Sequence, residues 1–229
     1  VKSIVLLHGA VGAAHQFEKL KQELAVNYQV FTMDFTGHGE RSSEESDFSI
    51  ESFASDLDHF LTTNELIHPF IFGYSMGGFV ACYHALHFSN KAEKIITLGT
   101  KFYWTPDIAK KEIKMLEPKI ISEKIPQFAM QLKQRHGDIY WENILTKTAS
   151  MMVKMGMDCP IKTDDFMQLE MPVCYGLGDR DTMVSLDETW NAYKHTPAGS
   201  MYILPETPHP VEKVKVSELV WRINQFLKG

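Results

Sequence analysis

Short apolar runs alternate with amphipathic stretches along most of the chain, and this alternation restricts the fold more than any other feature. Residues 3–7 are apolar and stop at His8-Gly9, residues 28–33 end at Asp34, and Phe70-Ile71-Phe72 stops at Gly73. Residues 94–98, 172–176 and 201–204 complete the set. Continuous apolar runs of this length read as strands buried on both faces. Between them, Phe17, Leu20 and Leu24 recur at helical spacing, as do Ile50, Phe53, Ala54, Leu57, Phe60 and Leu61. Val216, Leu219, Val220, Ile223, Phe226 and Leu227 mark a C-terminal helix. Ser49 is placed as an N-cap, with Phe48 and Phe53 set for a hydrophobic staple around it. The pattern predicts an α/β fold built on a mostly parallel, doubly wound sheet of about six strands.

One stretch breaks the alternation. Residues 101–169 hold no good strand and are helix-prone, with Pro106, Pro118, Pro126 and Pro160 placed to delimit helices. The expectation is one domain over residues 1–229 with 101–169 as a helical insertion. A chain of 229 residues can bury a sufficient core without metals or disulfides.

The net charge of −6 argues against a nucleic-acid partner, which calls for a basic stripe to replace phosphate counterions. No apolar run is long enough to span a bilayer. Cys82, Cys159 and Cys174 are odd in number and widely spaced, which suggests neither a disulfide framework nor a zinc site. They read as small buried hydrophobes in a reducing, cytoplasmic setting. The chain starts at Val1, directly on a strand, without an initiator Met or a visible signal peptide. That start is compatible with removal of preceding sequence.

The sharpest motif is Gly73-Tyr74-Ser75-Met76-Gly77, set directly between an apolar strand and an apolar helix. A strand that turns sharply into a helix exposes a serine at the sheet edge, and glycines on either side leave room for neighbouring backbone. The helix N-terminus then points free N–H groups at the site. A serine hydroxyl is a poor nucleophile at neutral pH, so a base is required.

At this point the chain resembles the α/β-hydrolase family, whose catalytic order is serine, acid, histidine. Three further segments carry the resemblance. His8-Gly9-Ala10-Val11-Gly12 is similar to the family's oxyanion loop. Residues 34–42, Asp-Phe-Thr-Gly-His-Gly-Glu-Arg-Ser, are similar to its Asp-x-x-Gly-His-Gly-x-x-Ser loop, with one residue more than the commonest spacing. Gly178-Asp179-Arg180-Asp181-Thr182-Met183-Val184 is similar to its acid loop. The resemblance implies Ser75 as nucleophile, Asp181 as acid and His209 as base, with the backbone N–H groups of Ala10 and Met76 holding the oxyanion. Asp179 competes for the acid role, although an aspartate there also suits turn chemistry. His209 lies in Thr207-Pro208-His209-Pro210, where flanking prolines restrict its backbone. Pro208 departs from the glycine usual before this histidine. His8 and His38 belong to family motifs that more often support loops than do chemistry. His84 and His87 stand i, i+3 on a helix, which suits a helix face better than a metal without a third ligand. His195 has no evident partner.

In this family an insertion at the position of 101–169 forms a cap over the serine. Phe102, Tyr103, Trp104, Trp141, Met151, Met152, Met155 and Met157 make it rich in adaptable apolar side chains. Phe102, Trp104, Trp141, Met151 and Met155 are candidates for the substrate pocket, with ordinary packing of the cap on the core as the alternative reading. The expected function is a serine hydrolase acting on small or medium apolar carboxylic esters through an acyl-enzyme. Thioester hydrolysis, C–C bond hydrolysis or a lyase step on the same triad are alternatives, as is a ligand receptor on the same fold. No cofactor and no metal are called for. The expected assembly is a monomer or homodimer. The family's usual first two strands are not in the chain, which predicts a shortened sheet whose edge is exposed or paired in a dimer.

Overall fold

Strand and helix formation follow from which faces the sequence leaves apolar. A computed structural model describes residues 1–89 and 91–229. Among them, strands β1 (Ser3–Leu7), β2 (Gln29–Met33), β3 (Phe70–Tyr74), β4 (Lys94–Leu98), β5 (Val173–Gly178) and β6 (Gly199–Leu204) form one sheet. The order is β2-β1-β3-β4-β5-β6 and every pairing is parallel. Helices α1 (Glu18–Leu24), α2 (Ile50–Thr63), α3 (Met76–His87), α4 (Pro106–Glu112), α5 (Pro118–Lys124), α6 (Pro126–His136), α7 (Trp141–Met157), α8 (Leu186–His195) and α9 (Val216–Lys228) surround it.

In β1, Ile4 and Leu6 point to one face and Val5 and Leu7 to the other, all four fully buried. Ile4 and Leu6 pack with Leu20 and Leu24 of α1 and with Leu219 and Ile223 of α9. Val5 and Leu7 pack with Phe53 and Leu57 of α2 and with Phe79 and Val80 of α3. Burying a side chain of this size contributes roughly 1.5–3 kcal/mol, so both faces must be covered for the strand to stay in place. The doubly wound parallel sheet is therefore the direct outcome of uninterrupted apolar strands.

Local signals agree with this arrangement. The Ser49 hydroxyl accepts from Ser52 N (3.0 Å) while Ser49 N donates to the Ser52 hydroxyl (3.2 Å), a reciprocal cap at the start of α2. The Phe48 and Phe53 rings lie 5.2 Å apart across it. Strand β6 starts two residues before its apolar run, because Gly199 and Ser200 pair with Val173 and Cys174 without contributing apolar side chains of their own. Strands β2 and β6 are the edges among the described residues.

Between β4 and β5 the described chain is helical or irregular. Helices α4, α5 and α6 each begin on a proline, which lacks only an N–H that a first turn leaves unpaired. The long α7 divides its apolar stripe between two partners. Trp141 and Leu145 join Ile121, Ala129 and Leu132 in a cluster of their own. Met151 and Met155, farther along, join the main core. Among the described residues, no helix is long and apolar enough to cross a membrane.

Candidate active site

The loops that leave the carboxyl ends of the strands carry most of the polar residues singled out above. The strand order reverses between β1 and β3, the place where open parallel sheets leave a crevice for ligands. Ala10 follows β1 and Ser75 follows β3, so both flank this crevice.

Ser75 is the turn between β3 and α3. Its backbone is left-handed, with φ 51° and ψ −118°, a conformation that costs a non-glycine residue on the order of 1–3 kcal/mol. The surrounding backbone enforces it. A Cβ on Gly77 would stand 2.3 Å from the Leu7 carbonyl oxygen, and one on Gly73 would stand 2.5 Å from the Gly78 Cα. Only glycines let α3 pass this close to β1 and β3. Met76 opens α3, so its N–H has no acceptor within the helix.

His209 Nδ1 donates to Asp181 Oδ2 at 2.7 Å, and the Asp181 side chain is only 2% exposed. The other oxygen, Oδ1, accepts from Met183 N (2.8 Å) and Val184 N (2.9 Å). Burial works to raise the Asp181 carboxyl, but the hydrogen bond and charge of His209 and these backbone donors outweigh it, so its pKa falls below the ordinary value. Asp179 does something different. It accepts from Thr207 N at 3.1 Å and ties the acid loop to the loop carrying His209.

Two chain segments next to Ser75 also touch this pair. The Tyr74 hydroxyl donates to the His209 carbonyl at 2.7 Å, and the two rings stand 5.5 Å apart. Ser75 N donates to the Leu98 carbonyl (2.9 Å). The next residue, Gly99, lies against the pair: a Cβ there would be 3.2 Å from Asp181 Oδ2 and 3.3 Å from His209 Nδ1.

The loop after β1 is fastened from two sides. His8 Nδ1 donates to the Gly9 carbonyl (2.8 Å), and its Nε2 accepts from Phe35 N (3.2 Å). Burial drives the His8 pKa from 6.5 to about 4, which suits a ring that must accept as well as donate. Val11, itself at φ 51°, offers its carbonyl to Arg135 Nη1 and His136 Nε2, both at 2.9 Å. His136 Nδ1 also accepts from Gly39 N at 3.0 Å, and burial again takes this pKa down to about 4. The end of α6 thereby holds the loops after β1 and β2 together. Buried His38 stacks on Phe48 at 4.8 Å, and its pKa is lowered first by burial and then by the charges of His8 and His136.

A cavity of about 40 Å³ opens on Ser75 and is bordered by Ala10, Met76, Phe79, Lys101, Trp104 and three methionines of α7, namely Met151, Met152 and Met155. Of the side chains proposed from sequence for a pocket, Trp104, Met151 and Met155 lie here. Phe102 stacks on Phe79 at 5.8 Å and meets Phe166 edge-on at 5.2 Å. Trp141 packs among Ile121, Leu132 and Leu145, away from Ser75, with Lys133 Nζ 5.5 Å from its ring centre.

The sequence of residues 2–151 matches the model of the α/β hydrolase fold. The chain belongs to the α/β-hydrolase fold family. Among curated relatives, it is 29% identical over 99 residues to a pimeloyl-[acyl-carrier protein] methyl ester esterase of Vibrio cholerae, covering 43% of this chain and 37% of that protein. It is 28% identical over 137 residues to a proline iminopeptidase of Pestalotiopsis fici, covering 56% and 46%. The matched part is under half the length of either relative. Solved structures of the same fold include MenH from S. aureus, with TM-score 0.80, 20% identity and coverage of 99% and 93%. A thermophilic esterase from Thermogutta terrifontis aligns at TM-score 0.80 and 19% identity, covering 100% of this chain and 90% of that one. At such identities the likeness is one of fold.

Three polar residues around this hydrolase-fold site have no sequence signal. Arg135 and His136 lie 124 and 125 positions from the Val11 carbonyl they hold. Lys101 borders the Ser75 cavity with its ammonium 3.7 Å from both Glu112 and Glu188. Two of the other histidines also have partners: His84 Nε2 with Asp58 Oδ1 at 3.2 Å, and His195 Nδ1 with the Asn191 carbonyl at 2.8 Å. No group of three or more potential metal ligands occurs among the described residues. All three cysteines are free, and burial pushes the Cys82 thiol up to about 12.

Proposed function

We propose that this chain is a serine hydrolase acting on carboxylic esters through an acyl-enzyme formed on Ser75. The observation that carries the reading is the 2.7 Å His209–Asp181 hydrogen bond beside a serine held at φ 51° on a strand–helix turn. With Nδ1 donating to Asp181, the other imidazole nitrogen, Nε2, is left as the base. His209 removes the Ser75 proton as Oγ attacks the ester carbonyl, and Asp181 stabilises the imidazolium. The N–H groups of Met76 and Ala10 receive the oxyanion. The imidazolium then protonates the leaving alcohol, and His209 next activates a water that releases the acid and restores Ser75.

The helical segment 101–169 acts as a cap in this reading, since Trp104 and the α7 methionines border the cavity on Ser75. The substrate is a small molecule that enters beneath it.

A fluorophosphonate probe, used alongside chromogenic esters and thioesters, tests the proposal. The wild-type chain is expected to label at Ser75 and to turn over esters. Ser75→Ala is expected to lose labelling and to lower turnover on the order of 10⁴–10⁶-fold with an unchanged melting curve. Undiminished ester hydrolysis by that variant would sink the assignment, and a wild-type chain that fails to label would point to a receptor.

A further inference from the structure

The cavity on Ser75 is small and one-sided. Its volume of about 40 Å³ is far below the roughly 300–1,000 Å³ of common ligand pockets. Ala10, Ser75 and Met76 border it; among the described residues, His209 and Asp181 do not. A leaving group must lie where His209 can protonate it. A space that His209 does not border is therefore the place of the acyl group.

A second hollow of about 660 Å³ is lined in part by Phe102, Cys159, Ile161 and Phe166. Trp104 borders both spaces. An ion pair also links the two linings, Lys101 of the cavity and Glu188 of the hollow, 3.7 Å apart. The half-buried indole is tethered by a hydrogen bond from its Nε1 to the Lys101 carbonyl, at 3.1 Å.

We propose that Trp104 is the specificity-determining residue that limits the acyl group to short chains, and that the hollow it shares takes longer acyl chains once the indole is removed. The proposal rests on Ser75 being the nucleophile. The substrates are accordingly esters of short acids, with the alcohol portion unrestricted by this cavity. Each methylene that fails to fit an apolar pocket costs roughly 10-fold or more in kcat/KM, so the cutoff is steep.

The test is a p-nitrophenyl ester series from acetate to dodecanoate on wild type, Trp104→Ala and Trp104→Phe. Rates are normalised to Ser75 labelled by a short-alkyl fluorophosphonate. The wild type is expected to favour acetate to butyrate over octanoate by roughly 10-fold or more. Trp104→Ala is expected to raise the octanoate-to-acetate ratio by a similar factor, with Trp104→Phe between. Trp104→Leu replaces the alanine variant if that one melts below the assay temperature. An unchanged ratio in labelled variants, or a wild type that prefers octanoate, overturns the partition and leaves the nucleophile assignment standing. Absence of labelling and turnover in every protein overturns the nucleophile assignment, and the partition with it.

Discussion

The two sides of the Ser75 cavity are held by different means. On the sheet side, position is set by backbone: Gly73 and Gly77 admit atoms that any side chain would strike, and Ser75 has no freedom to sit elsewhere. On the helical side, position is set by side chains drawn from distant parts of the chain: Arg135 and His136 on Val11, and Met151, Met152 and Met155 over the serine. Backbone crowding tolerates almost no substitution, whereas methionine packing tolerates many. Under the proposed function, the chemical step belongs to the rigid side and the choice of substrate to the adaptable one.

The largest expected effect separates the two aspartates of the acid loop. Asp181→Asn is expected to lower kcat on the order of 10⁴-fold. Asp179→Asn, which alters exposed turn bonds to the backbone of Glu206 and Thr207, is expected to change kcat by less than about 10-fold. Steady-state ester kinetics on both variants decide it, and comparable losses would erase the distinction between positioning by loop and chemistry by carboxylate.

Trp141→Ala comes next. It removes the centre of the α5–α6–α7 cluster and is expected to cost about 3–5 kcal/mol in chemical denaturation. Its acyl-chain preference should follow wild type, because the side chain lies away from Ser75. A changed preference would show that the helical side acts as one body and not as separate contacts. Gly77→Ala should cost about 1–3 kcal/mol or more, since its Cβ meets the Leu7 carbonyl at 2.3 Å, and it should lower kcat along with stability. A stable, active Gly77→Ala protein would break the claim that the backbone fixes the sheet side.

The smallest effect concerns pH. His8 and His136 have folded-state pKa values of about 4, against 6.5 when unperturbed, chiefly through burial. Between pH 6.5 and 4 the unfolded chain therefore binds protons that the folded chain does not, and stability falls as the pH is lowered through that window. Asp181 acts in the same direction but in a lower pH window. Its pKa lies below 3.8 in the folded state, so its contribution is complete above that value and is lost only at lower pH. Melting midpoints of wild type and His136→Gln from pH 7 to 4 should show a shallower decline in the variant. Parallel curves would mean that the fastening of Val11 and Gly39 by α6 has no share in acid sensitivity.

The sequence exposes features that act through short-range geometry. Apolar strands such as residues 3–7 must be covered on both faces, and Gly-Tyr-Ser-Met-Gly between a strand and a helix leaves few backbone paths. The helical segment yields less. Trp104 and Trp141 are the same residue type in the same segment, yet one borders the cavity and the other packs against Ile121 and Leu132. Which neighbour each indole meets depends on how α5, α6 and α7 lie together, and no local pattern encodes that. Lys101 escapes notice for a related reason: its partners Glu112 and Glu188 come from α4 and α8. Which of Asp179 and Asp181 meets His209 is likewise a fact of loop conformation.

The left-handed backbone at position 75 bears on the origin of variants as well as on chemistry. A glycine in that place relieves on the order of 1–3 kcal/mol of torsional strain. The chain would fold more securely without the serine proposed as its nucleophile. Selection for robustness alone would drive position 75 toward glycine, so under the proposed function the serine there is a compromise between durability and reactivity.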